Sequence, residues 1–256
     1  PDAPTAAALR PYLKQFLKEH PGATVFQVDA GGLFNFRTPN PARERALLEG
    51  VRKLGVEIMN LMPGDARALE RLGMEGKLKQ PQLVSANVLG PGGRPIAPPF
   101  VVRRAADGGR MVFIGLSAVR QHQSFGYTIE DPKEALKKLL PQASSAADMV
   151  VVLAYMSNRD VVDIAANVTG VDVIVSGYEE QFGVAPYQIG DAWILQAQYE
   201  GRFVGEAGLQ LTPQKKLQKL EPHRLVVLDA SFADDPELAT LVAAAKPGGN
   251  APGKGH

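Results

Sequence analysis

The sequence reads MVVVL at Met149–Leu153 and VDVIV at Val171–Val175, and a helical pattern from about Asn158 to Val168 lies between these two runs. The first run contains no polar residue, which is typical of a strand that is covered on both faces. A strand, a helix and a second strand in this order predict a parallel, right-handed crossover. We therefore expect an α/β fold.

Strands and helices continue to alternate on both sides of this crossover. Val25–Val28 is expected to be a buried strand that ends in a glycine turn, and Asn40 is expected to cap the helix that follows it. Asp131-Pro132 predicts the start of a later helix, which should end near Leu140. Further strands are expected at Val56–Leu61, Leu83–Val88, Phe100–Arg103, Met111–Leu116, Trp193–Ala197, Phe203–Leu211 and Leu225–Leu228. Together these elements predict a two-sheet β-sandwich flanked by helices.

The composition of the chain excludes several classes of protein. Its 256 residues include 28 Lys and Arg against 27 Asp and Glu, whereas dedicated nucleic-acid binders usually carry a basic excess. No apolar run approaches the roughly 18–20 residues that span a bilayer. The lack of Cys excludes disulfides, thiolate zinc sites, iron–sulfur clusters and covalent haem attachment. We expect a single domain over residues 1–245 and a flexible tail over residues 246–256.

Functional side chains in an open α/β sheet are expected at the carboxyl ends of the strands. Four loops follow predicted strands in this way, at residues 29–34, 62–65, 154–158 and 176–180. These loops are therefore the first places to look for a site.

Eight short parts of the chain follow one another in a characteristic order and spacing. They are VDAGG at Val28–Gly32, MNLMPGD at Met59–Asp65, SANV at Ser85–Val88, IGLS at Ile114–Ser117, VVLAY at Val151–Tyr155, VDVIVSGY at Val171–Tyr178, Gln196-Ala197 with Gly201 and Val204-Gly205, and DDP at Asp234–Pro236. In this order they resemble the N-terminal calcineurin-like metallophosphoesterase domain of bacterial 5′-nucleotidases, from about Ala7 to Val242. The resemblance implies a periplasmic or extracellular protein.

That family binds two divalent metal ions, and a hydroxide that bridges them attacks phosphorus. Its ligands come from Asp-x-His on the first strand, a Gly-Asp pair, Gly-Asn-His-Glu, a His on a later strand, and Gly-His-x-His. In this chain the Gly-Asp pair would end at Gly32, so a glycine stands in place of the Asp. Met62-Pro63-Gly64-Asp65 replaces Gly-Asn-His-Glu, and Tyr155 replaces the later His. Gly177-Tyr178-Glu179-Glu180 replaces Gly-His-x-His. The comparison therefore predicts no metal cofactor, with a divalent ion such as Mn²⁺ or Zn²⁺ as the alternative.

Five residues in these loops are the candidate ligand-binding residues, and each has a structural alternative. Asp29 contacts a ligand or caps the following turn, and Asp65 acts as an acid or caps the following helix. Tyr155 and Tyr178 stack on a nucleobase or sugar, or fill the space that the metal ions would take. Glu180 contributes to a single hard-cation site or is solvated. The structural alternatives are favoured, and no catalytic residue is assigned.

The substitutions favour a non-catalytic, metallophosphoesterase-like domain that acts as a binding or scaffold module in the bacterial envelope. Some branches that resemble this one are attached to multihaem cytochrome segments, which implies a redox partner of that type. The alternative is a metal-dependent phosphohydrolase of the 5′-nucleotidase type, with an altered site built from Asp29, Asp65 and Glu180. The family's first strand would precede Pro1, and we expect a longer N-terminus or another chain to complete the sheet.

Overall fold

The computed structural model of the chain describes residues 9–34, 39–118, 125–178, 185–196, 203–214, 216–227 and 234–245. Within these ranges the helices are α1 (Leu9–Glu19), α2 (Pro41–Leu54), α3 (Pro63–Arg71), α4 (Pro132–Ala146), α5 (Asn158–Asn167) and α6 (Pro236–Ala245). The strands are β1 (Val28–Asp29), β2 (Ile58–Asn60), β3 (Gln82–Val84), β4 (Val88–Leu89), β5 (Phe100–Arg104), β6 (Arg110–Ser117), β7 (Thr128–Ile129), β8 (Met149–Tyr155), β9 (Val173–Ser176), β10 (Tyr187–Ile189), β11 (Ala192–Gln196), β12 (Phe203–Leu211) and β13 (Leu217–Val227).

The larger sheet contains six strands in the order β10-β11-β9-β8-β6-β5. Its inner strands β6, β8, β9 and β11 run parallel, and β5 and β10 add antiparallel edges. The helix α5 connects β8 to β9, so the parallel crossover that the sequence predicts is present. The strand β8 is buried from Met149 to Ala154, as expected for a strand that is covered on both faces.

The smaller sheet has the parallel order β1-β2-β3 and packs face to face on the larger one. Ile58 and Val84 of the smaller sheet share a buried cluster with Phe113, Val151 and Leu153 of the larger sheet. Helices α4 and α5 pack against the outer face of the larger sheet, and α2 and α3 against the outer face of the smaller one. The predicted two-sheet α/β sandwich flanked by helices is confirmed.

The strands β12 and β13 form an antiparallel hairpin beside the sandwich. At one end of the hairpin, Val204 and Val226 pack against Tyr12 of α1. Towards its turn, Leu209 and Leu211 pack against the core between the two sheets. The hairpin is therefore held by apolar contacts at both ends.

The stretch that was expected to be one strand at Leu83–Val88 divides into β3 and β4. The backbone N–H of Ser85 donates to Pro98 O at 2.9 Å, and that of Ala86 donates to Gly115 O at 2.7 Å. The chain thus leaves the smaller sheet and bonds to the larger one. A continuous apolar pattern does not reveal this change of partner.

Two other element ends differ from the sequence expectation. Val25–Val28 contributes only Val28 to β1, although Phe26 packs in the core and its ring contacts that of Phe113. The helix α4 continues through Pro141, because Leu140 and Ala143 on either side of it are buried against the larger sheet. A proline that removes one helical hydrogen bond is tolerated where tertiary packing supplies most of the helix stability.

Some expectations fall on residues outside the described ranges. These are the tail at residues 246–256 and the ends of two predicted strands at Ala197 and Leu228. The extent of the domain and the position of a further strand remain predictions. In the described part of the chain, no helix has both the length and the apolar character required to cross a membrane.

Candidate functional site

The carboxyl ends of five strands meet at one edge of the sandwich, as the α/β pattern predicts. The side chain of Asn60, at the end of β2, donates to Ala30 O after β1 at 3.0 Å and to Leu116 O in β6 at 2.8 Å. After β9, Gly177 N donates to Ala154 O in β8 at 2.9 Å. A Cβ atom added at Gly177 would lie 2.8 Å from the Cβ of Ala30, so β9 ends against the turn that follows β1.

The turn after β1 is closed by Asp29, in the way that its position before Ala-Gly-Gly predicts. Its Oδ1 accepts the backbone N–H of Gly31 at 2.7 Å. Gly31 and Gly32 have φ angles of +103° and +83°, a region that side chains rarely adopt. The two glycines therefore give this turn its shape, and Asp29 holds it.

The expectation that Asp65 caps the next helix is wrong. The helix α3 begins at Pro63, a favoured first residue, and Met62 holds the cap position without a side-chain bond. Asp65 thus lies within the first turn of the helix, fully buried. Its Oδ2 accepts the N–H of Gly32 at 2.9 Å and its Oδ1 accepts the N–H of Phe34 at 3.1 Å. Asp65 therefore fixes the glycine turn from a separate helix, through other N–H groups than the one that Asp29 accepts.

Burial dominates the protonation of both carboxyl groups. It raises the pKa of Asp65 from 3.8 to about 7, against the lowering effect of the N–H groups of Gly32 and Phe34. The negative charge of Asp29 adds to the rise. Burial also raises the pKa of Asp29, and its bond to Gly31 opposes that rise. Near neutral pH, Asp65 therefore exists in both protonation states.

Two tyrosine rings lie over this turn. The rings of Tyr155 and Tyr178 meet edge to face, with centroids 5.4 Å apart and planes at 86°. A Cβ atom added at Gly32 would overlap Cε2 of Tyr155 and lie 3.0 Å from its Cζ. The Tyr155 ring therefore occupies the volume into which a side chain at position 32 would extend. Of the five predicted site residues, Glu180 lies outside the described residues, and the other four come together here.

Sequence reasoning missed the buried polar residues beneath the turn. Asn60, Ser85 and Ser117 are almost fully buried, and in the described part of the chain Asn60 Oδ1 and both serine hydroxyls lack a hydrogen-bond partner. A Cβ atom at Gly115 would lie only 2.6 Å from Asn60 Oδ1, so a glycine is required there. A polar residue inside the apolar stretch IMNLM was the available signal.

The residues that the structure describes at this edge do not supply a donor set for a centre with two metal ions. Both oxygens of Asp65 and one of Asp29 accept backbone N–H groups, and tyrosine rings fill the neighbouring space. Within the described ranges no cluster of three or more His, Cys, Asp or Glu could hold a metal ion. Two divalent cations held close together repel strongly unless bridging anions offset the repulsion.

Comparisons with known proteins support the fold. No family model matches the chain, and no curated protein gives a significant match. Among solved structures, the chain is similar to the sulfate thiohydrolase SoxB of Thermus thermophilus, with a TM-score of 0.79 and 19% identity over 94% of this chain and 46% of that one. It is similar to the calcineurin-like phosphoesterase YfkN of Bacillus subtilis, with a TM-score of 0.69 and 16% identity over 93% of this chain and 87% of that one. A 5′-nucleotidase precursor of Thermus thermophilus gives a TM-score of 0.71 and 17% identity over 95% of this chain and 53% of that one.

The chain thus spans about half the length of the SoxB and 5′-nucleotidase chains that it matches. Structural similarity at sequence identities below 20% establishes the arrangement of strands and helices, and it leaves the chemistry of the site open. The carboxyl-end site, the two packed sheets and these structural neighbours lead to one conclusion. The chain has the fold of the calcineurin-like metallophosphoesterases, in the form found in 5′-nucleotidases.

Proposed function

We propose that this chain is a non-catalytic metallophosphoesterase-like module that binds or scaffolds a partner. The observation that carries this proposal is the Tyr155 ring packed over Gly32. By the sequence resemblance, Gly32 stands where the family has the Asp of its Gly-Asp pair, and the ring fills the space into which a side chain at this position would extend. A bridging acid introduced there would meet the ring before it met a metal ion.

The two remaining acids support the same proposal. Asp29 and Asp65 hold the backbone of the glycine turn, and burial raises the pKa of both carboxyl groups. A metal ion requires a deprotonated ligand with a free oxygen, so a raised pKa and bonds to backbone N–H groups both make these acids poorer ligands for a divalent cation. The site is thus built to keep its shape without an ion.

Phosphoesterase assays test this proposal directly. The chain is incubated with Mn²⁺ or Zn²⁺ and a panel of nucleoside 5′-monophosphates, with the 5′-nucleotidase of Thermus thermophilus as the positive control. We expect no phosphate release above that of buffer with metal. Metal-dependent release that is abolished by Asp65→Asn and retained by Glu75→Gln, an exposed acid elsewhere, would overturn the proposal. It would favour the alternative, a phosphohydrolase with an altered metal site.

For its setting, we propose the bacterial envelope, in the periplasm or outside the cell, beside a cytochrome-type redox partner. The resemblance to 5′-nucleotidases supports the location. The strand β1 supports a partner, because in the described part of the chain it pairs with β2 alone and leaves its other edge open to a further strand. Cell fractionation and haem staining of proteins that co-purify with the chain test both points. A cytoplasmic chain without haem-containing partners would contradict them.

A further inference from the structure

A cavity lies at the opposite end of the larger sheet, where β9 and β11 begin. Its volume is about 410 Å³, within the range of roughly 300–1,000 Å³ that is typical of small-molecule sites. One wall is formed by residues that precede or begin these strands, among them Asp172 and Trp193. The other wall is formed by Lys216 and by the residues that begin β13. The cavity is therefore separate from the site at the carboxyl ends.

The aromatic wall of this cavity is Trp193, which is the only tryptophan of the chain. Its neighbours Ala192 and Ile194 are buried in the cluster beneath the helices. Because side chains alternate along a strand, Trp193 faces the opposite side of the sheet. It remains partly exposed there and lines the cavity. A partly exposed indole offers a flat apolar surface on which the ring of a ligand stacks.

The polar groups around Trp193 offer both donors and acceptors. Asp172 is fixed in place, since its Oδ2 accepts the N–H of Val150 at 2.7 Å. Asp191 is exposed at the rim, and the amides of Gln188 and Gln218 line the walls. These groups match the hydroxyls of a polyol, which donate to carboxylates and amides and accept from amide N–H groups.

The charges of the cavity argue against an anionic ligand. Asp172 and Asp191 contribute two acids, and Lys216 and Lys219 contribute two cations. The ammonium of Lys219 already lies 2.6 Å from the carboxylate of Glu221, so its charge is balanced outside the cavity. Among the described lining residues, a phosphate group would therefore meet no net positive charge, whereas a neutral ligand meets no electrostatic penalty.

We propose that this cavity binds a neutral saccharide, with one sugar ring stacked on Trp193 and its hydroxyls bonded to Asp172, Asp191 and the two glutamine amides. The proposal is independent of the non-catalytic role assigned to the other edge of the sandwich. It assigns the chain a carbohydrate-contacting surface.

Saturation-transfer NMR and tryptophan fluorescence test the proposal on the full chain. The probes are methyl β-D-glucopyranoside, methyl β-D-galactopyranoside and N-acetylglucosamine, which both methods follow. Inorganic phosphate is the anionic comparison and is followed by fluorescence, because it has no carbon-bound protons. We expect a saturable response to at least one sugar and none to phosphate. The proposal would be overturned if the responses to all three sugars rise only linearly with concentration. It would also be overturned if phosphate binds saturably at this cavity.

Variants locate the binding site. Asp191→Asn should weaken sugar binding about tenfold, the loss expected for a hydrogen bond to a charged group. Glu75→Gln, which removes an exposed charge far from the cavity, should leave the affinity unchanged. Trp193→Phe should retain the NMR response and Trp193→Ala should lose it, with thermal melting used to confirm that each variant is folded. Equal affinity in the original chain and in folded Asp191→Asn would overturn the assignment.

Discussion

Replacing Gly32 by alanine tests the packing of Tyr155 on the glycine turn. Gly32 has a φ of +83°, which costs a side-chain-bearing residue about 1–2 kcal/mol. The added Cβ would also overlap the Tyr155 ring, and overpacking of this kind costs about 1–3 kcal/mol. The two effects together predict that Gly32→Ala lowers the free energy of unfolding by about 2–5 kcal/mol.

A matched variant separates these two effects. Gly108 has a φ of +87°, and a Cβ atom there would meet nothing within 4 Å. Gly108→Ala should therefore show only the backbone cost, about 1–2 kcal/mol. Urea denaturation measures both variants, and Tyr155→Ala combined with Gly32→Ala completes a double-mutant cycle.

The cycle should give a coupling of about 1–3 kcal/mol, because removing the ring removes the overlap. If Gly32→Ala is no more destabilising than Gly108→Ala, or if the coupling is zero, the ring does not occupy the space beside position 32. The reasoning behind the non-catalytic proposal would then fail.

Two further predictions concern the buried polar groups of the same edge. The pKa of Asp65 is about 7 in the folded chain and 3.8 when the group is unperturbed, so its ionisation destabilises the fold as the pH rises from about 4 through 7. Each pKa unit corresponds to about 1.4 kcal/mol, so the stability of the original chain relative to Asp65→Asn should fall by roughly 4 kcal/mol between pH 4 and pH 8. Denaturation curves at several pH values measure the difference in the free energy of unfolding between the two chains. A difference that stays constant with pH would contradict this prediction. Asn60→Ala should lower the free energy of unfolding by about 2–5 kcal/mol, because Ala30 O and Leu116 O lose a buried donor. The exposed Asn167→Ala serves as its control, and equal effects of the two substitutions in urea denaturation would contradict the role of Asn60.

The elements that depend on local chemistry were predictable from the sequence. Asn40 caps α2 by accepting the N–H of Arg43, and Gly55 closes that helix with a φ of +82°. The turn at Asp29 and the strand–helix–strand crossover also follow from short patterns. In each case the deciding contact lies within a few residues of the pattern or follows from apolar periodicity.

The parts that were not predictable depend on contacts between distant segments. Asp65 bonds to the N–H of Gly32, 33 residues away, and the local capping rule cannot show that partner. Tyr155 covers the same glycine from a different sheet, and Asn60 joins the two sheets through its bond to Leu116 O. The site was therefore predicted as a set of loops, while the role of each side chain required the packed structure.

Metal content is the measurement that tests the central claim most directly. The purified chain is loaded with excess Mn²⁺ and Zn²⁺, freed of unbound ions by gel filtration, and examined by elemental analysis. The account predicts that no metal ion remains bound in stoichiometric amount. Among the residues that the structure describes at this edge, the carboxyl oxygens hold backbone N–H groups and a packed tyrosine pair fills the space beside them. Retention of a pair of ions by each chain, lost in Asp65→Asn, would contradict it.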